Sequence, residues 1–133
     1  MKGLDTNVLV RYLTQDDAKQ AAIATREIEA ATEDGETLCI QPVVLCELVW
    51  VLDSAYGRPK SDILLALDHI LRTAQFECAD KDTVWQALAD YRRGRGDFAD
   101  YYLGRANAAT GAVATLTFDK ALKGCPQFRV LRA

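Results

Sequence analysis

The chain has 133 residues, enough for one domain with a real core and too few for two ordinary ones. Half is apolar and 26% charged, and 16 basic against 19 acidic residues leave a net charge of −3, which argues against binding nucleic acid or anionic membrane through the overall field alone. No stretch approaches the roughly 18 apolar residues of a membrane span. The N-terminus lacks a secretory signal pattern, and the cysteines (Cys39, Cys46, Cys78, Cys125) form no CxxC pair; Cys39, Cys46 and Cys78 lie in apolar stretches, so small buried thiols in a reducing cytosol are expected there.

Taken in chain order, a short strand ends near Leu4 and a helix follows through Leu13. "DDAKQAAIATREIEAAT" (16–32) reads as a helix capped by Asp16 or Asp17, and Asp34-Gly35 as a turn. Residues 37–40 predict a second strand. Pro42 suits the first turn of a helix reaching about Tyr56, with Gly57 as its stop. Ile63, Leu64, Leu67, Ile70 and Leu71 recur at helical spacing. A short strand over 76–78 precedes a helix carrying Val84, Trp85, Leu88 and Tyr91, with Asp80 as its cap and Gly94 and Gly96 as its break. A further helix spans 98–110 and stops at Gly111, "AVATLTF" (112–118) is the clearest strand, and a last strand covers 128–131. Short apolar strands alternating with helices predict an α/β fold, a parallel sheet covered on both faces. Ligands of such sheets bind beyond the strands' carboxyl ends, and Asp5 and Asp119 each follow a strand.

Glu47 is the only charge between Thr37 and Leu52, and its helical neighbours Val43, Val44, Trp50 and Val51 are apolar. A carboxylate on such a surface loses solvation unless partnered, by an Arg or Lys at a helix edge or by a cation in a polar cavity. Asp97 and Asp100, in "GDFADYYLGRA", fit a capping box and equally a cation site at a helix start. Asp5 and Asp119 also read as caps or as ligands, and Thr6 and Asn7 either cap the first helix or orient Asp5. Together the acids form a set with no matching bases; hard oxygen ligands select Mg²⁺ or Mn²⁺, whereas zinc wants His or Cys and the lone His69 reads as an ordinary helix residue.

At these residues the sequence resembles the PIN-domain family, and within it the VapC-type toxins of type II toxin–antitoxin systems. "LDTNVLVRYL", "QPVVLCELVWVL", "DFADYYLGRANAATG" and "ATLTFDKAL" resemble its four motifs in order, over nearly the whole chain. The resemblance implies a single domain over 1–133, a three-layer α/β/α sandwich with a central, mostly parallel sheet of about five short strands. It also implies a cytoplasmic, metal-dependent endoribonuclease that hydrolyses RNA phosphodiesters through water activated by one or two Mg²⁺ or Mn²⁺ ions. Asp5, Glu47, Asp100 and Asp119 match the acidic quartet; Asp97 matches an additional acid whose role as ligand, supporting group or cap stays open. Thr6, Asn7 and Thr117 match supporting polar positions.

Arg92, Arg93 and Arg95 are candidates for RNA phosphates, with Lys120, Lys123 and Arg11 weaker ones. The family also implies a cognate antitoxin, laid along an apolar groove near the acids, and a homodimer, for which Trp50, Tyr56 and the 63–71 helix offer surfaces, though core packing explains most of them equally well. Two other classes fit less well. A non-catalytic interaction module would use the acids only as caps, and an aspartate-dependent phosphohydrolase would want a second aspartate where Asn7 stands.

Overall fold

A computed structural model describes residues 1–133, which form two compact units, Met1–Ala79 and Asp80–Ala133. The first contains β1 (Lys2–Gly3), α1 (Thr6–Thr14), α2 (Ala18–Glu33), β2 (Leu38–Ile40), α3 (Pro42–Ser54), α4 (Lys60–Arg72) and β3 (Phe76–Cys78). The second contains α5 (Lys81–Arg93), α6 (Phe98–Ala109), β4 (Thr115–Thr117), a 3₁₀ turn (Lys120–Leu122) and β5 (Phe128–Val130).

In the first unit β2 is the middle of a parallel three-stranded sheet, with Lys2 opposite Leu38 on one side and Leu38 opposite Phe76 on the other. Leu38 and Ile40 are buried on one face of the pleat. α2 buries Ala21, Ala24, Ile28 and Ala31, a narrow stripe of small side chains that lets the helix lie close to α1. α4 buries Ile63, Leu67, Ile70 and Leu71. Asp17 caps α2 by accepting the Gln20 N–H at 3.0 Å, and Pro42 begins α3, where a missing N–H costs nothing. Cys78 is buried, Cys39, Cys46 and Cys125 are half-buried, and all are free thiols.

In the second unit α5 packs on α6, and β4 pairs in parallel with β5. Tyr91 meets Phe98 edge to face at 5.9 Å. The five strands are thus all paired in parallel, three in one sheet and two in the other.

Several local expectations are corrected. Asp80 occupies the cap position of α5 but makes no capping bond: its backbone is left-handed (φ 56°), unlike the extended conformation that turns a cap side chain onto the helix, and its carboxylate accepts the Tyr102 hydroxyl at 2.8 Å. The 112–118 strand shrinks to Thr115–Thr117, the length over which β5 offers partners; Val113, Leu116 and Phe118 are exposed instead of filling a core. Of the surfaces expected to meet a second copy, Trp50 and Leu65 are exposed, but the apolar stripe of α4 is core, and Tyr56 is engaged with Arg11 and Asp16. No helix is long and apolar enough to cross a membrane.

Candidate functional site

In the first unit, β1 delivers the chain to Asp5, which stands at the N-cap of α1 in extended conformation with no side-chain capping bond. Its carboxylate is exposed and uncommitted, although a cap role would have used it. Thr6 follows, 5% exposed, and its Oγ1 is buried without any hydrogen-bond partner. Such orphaned hydroxyls are uncommon in folded proteins. Asn7 is exposed.

Glu47 lies on α3 and is exposed, which corrects the expectation of a carboxylate on an apolar, desolvated surface. Val43 and Trp50, one helical turn to either side, are 61% and 69% exposed, so this face of α3 looks outward and water solvates the carboxylate. No ion pair forms at Glu47, so the helix-edge pairing with an Arg or Lys is not realised either. Its charge is felt next door: burial, and then the Glu47 carboxylate, push the Cys46 thiol up to about 11.

In the second unit the loop after α5 sets up the acids. Gly94 and Gly96 lie against Tyr101; a Cβ on Gly94 would overlap its ring and hydroxyl, and one on Gly96 would overlap the Leu122 side chain. The buried Tyr101 hydroxyl accepts the Gly96 N–H at 2.9 Å and fixes the loop that leads to Asp97. Asp97 is the N-cap of α6, but its backbone carbonyl, not its side chain, takes the Asp100 and Tyr101 N–H groups. The expected capping box therefore lacks its first half. The Asp100 carboxyl is pushed above the ordinary carboxylate range, first by burial and then by the charges of Asp97 and Asp119, with a backbone hydrogen bond at Asp97 opposing. Asp119 follows β4 and caps the 3₁₀ turn, its Oδ1 accepting the Ala121 N–H at 2.9 Å, while Thr117 Oγ1 accepts the Asp119 N–H at 3.0 Å. The structure thus places Asp100 in the field of both Asp97 and Asp119, with no ion pair to any of the three.

Neither unit by itself brings three His, Cys, Asp or Glu side chains into a preformed metal cage. The Asp97, Asp100 and Asp119 donors nevertheless fit a hard divalent cation in kind. They are oxygens only, Asp97 and Asp119 both repel Asp100, and a cation would relieve both that repulsion and the partly buried charge of Asp100.

The basic candidates divide. Arg92 and Arg95 are exposed and make no ion pair. Arg93 is 75% exposed and only grazes Asp90 at 3.4 Å. Arg11 is committed elsewhere, to Asp16, Gln20 and the Tyr56 hydroxyl. Sequence reasoning missed Asp90, which is 8% exposed and is gripped by Arg105 through two bonds of 2.7 and 2.9 Å. Its signal was available: Asp90 shares a helical row with Thr83 and Ala87, on the face that α5 buries.

Comparison with known proteins agrees with this arrangement of motifs. The PIN domain family matches residues 3–125, across both units. A VapC ribonuclease of Aquifex aeolicus (strain VF5) is 31% identical over 100 residues, which cover 75% of this chain and 73% of that protein. No solved structure matches significantly. With its α/β architecture and a family match running almost end to end, the chain belongs to the PIN-domain family.

Proposed function

We propose that this protein is a divalent-metal-dependent endoribonuclease, the toxin of a toxin–antitoxin pair, and that its two units work as one PIN domain. The observation that carries the metal reading is Asp100, a carboxyl raised by burial and by two neighbouring aspartates, with no ion pair to any of the three. The order of the motifs and the VapC relative support the rest.

In this reading Asp5, Glu47, Asp100 and Asp119 hold one or two Mg²⁺ or Mn²⁺ ions, and Asp97 adds charge beside Asp100. The bound cation supplies an acidified water, polarisation of the phosphoryl oxygen and stabilisation of the leaving oxygen. The chain's own residues do the positioning. Thr117 holds the amide of Asp119, and the amide of Ala121 holds one oxygen of its carboxylate, which leaves the other to bind. Thr6 has a buried hydroxyl with a hydrogen bond still to give, beside Asp5. Exposed Arg92, Arg93 and Arg95 offset the acids' repulsion of a polyanion. An antitoxin segment is the proposed inhibitor, and the apolar groove of about 280 Å³ lined from α1 and α2 by Asn7, Val8, Ile23 and Ala24 among others is a surface for it.

The test is RNA cleavage mapping with wild type, Asp5→Asn and Glu47→Gln. Both variants should remain folded and lose at least ~100-fold in cleavage rate, the upper end of what is lost even with a metal's outer partners. Folded variants that cut as well as wild type would refute the assignment, and the same map names the RNA.

A further inference from the structure

The second unit contains a cleft of about 460 Å³, within the size range of small-ligand sites. Asp90, Arg93, Tyr101, Ala121, Lys123 and Gly124 are among the residues that line it. Its charge balance is unusual for a wall that includes an acid. Both Asp90 oxygens are already bound by Arg105, so the negative charge is neutralised within the protein. Arg93 touches Asp90 only at 3.4 Å and stays three-quarters exposed, and Lys123 is exposed with no ion pair. Gly124, in a left-handed turn (φ 90°), has a backbone N–H that donates to no backbone acceptor. The lining thus offers two cations and a free donor, a set suited to a phosphate.

The cleft also adjoins the acids. Ala121 in its wall donates to Asp119, and Tyr101 directly follows Asp100. A nucleic-acid strand with one phosphate at those acids would have its next phosphate close by. We propose that this cleft binds the phosphate flanking the scissile one, held by Arg93, Lys123 and the Gly124 N–H; the assignment rests on the ribonuclease reading above. Arg92 and Arg95 are not part of the lining and take no part in holding that phosphate.

The experiment measures binding of a labelled single-stranded RNA oligonucleotide to the full chain. Binding is followed by fluorescence anisotropy in Mg²⁺, in a Glu47→Gln background, between about 50 and 200 mM salt. Adding Arg93→Ala and Lys123→Ala should lower affinity about tenfold and make the salt dependence shallower by about 0.7 for each phosphate no longer neutralised. Adding Lys19→Ala and Arg26→Ala, which removes two exposed cations of α2 that have no assigned part in holding RNA, should leave the salt dependence much closer to the parent's. An unchanged slope in the first pair, or an equal loss in both pairs, overturns the cleft assignment. Cleavage by wild type is assayed on the same RNA: wild type that cuts while the first pair keeps its slope sinks the cleft alone. Wild type that neither binds nor cuts any RNA sinks both.

Discussion

Cys46 sits on α3 beside Glu47, and its thiol is pushed up to about 11 by burial and by that carboxylate. Since the thiolate is the nucleophile, Cys46 should alkylate far more slowly in the native chain at pH 8 than in the unfolded one; mass-spectrometric footprinting checks this, and rapid native labelling would contradict it. Asp16 moves the opposite way, lowered from 3.8 to about 2 by the hydroxyls of Tyr56 and Thr14 and then by Arg11, against the effect of burial. Its folded value lies below its unfolded one, so its contribution is complete above about pH 4 and is lost as pH falls through about 2. Asp16→Asn should therefore flatten the acid limb of a thermal-unfolding profile between those values. The residue scale is also where the sequence misled. Glu47 among apolar neighbours read as a buried charge, but Val43 and Trp50 are themselves exposed. Asp90 is the charge that is buried, and the same pattern argument applied to α5 would have found it. Apolar neighbours reveal burial only if they too face the core, and a sequence does not say which face does.

Among the elements, helices were legible because their stripes are long: α2, α4 and α5 each bury residues three or four apart, as their periodicity predicts. Strands of two or three residues carry almost no period, and β4 ends where β5 stops offering partners, which is information outside its own sequence. A glycine inside a helix can also have a packing role that no periodicity reveals. Gly104 lets α6 lie against Phe128 of β5, where an added Cβ would come within 2.6 Å of the ring. Gly104→Ala should cost about 1–3 kcal/mol, measured by denaturant unfolding. The α5–α6 pair depends on Asp90 and Arg105. Asp90→Asn should cost about 2–3 kcal/mol, below the range for fully buried pairs because Arg105 stays a quarter exposed. A loss under about 0.5 kcal/mol, the ordinary range for surface changes, would show the pair to be incidental.

For the whole molecule, the order of strands and helices was enough to give an α/β class, and four short motifs were enough to give the family. The central claim is that acids left without a basic partner are held for a divalent cation. The direct measurement is thermal unfolding of wild type and Asp100→Asn across a Mn²⁺ and Mg²⁺ titration, with EDTA as the zero point. Wild type should gain about 2.7 kcal/mol at a hundredfold excess over its Kd. Asp100→Asn, relieved of the repulsion from Asp97 and Asp119, should unfold at an equal or higher temperature in EDTA and gain much less from either metal. No shift of wild type at millimolar metal, or an equal gain in the variant, would contradict the account.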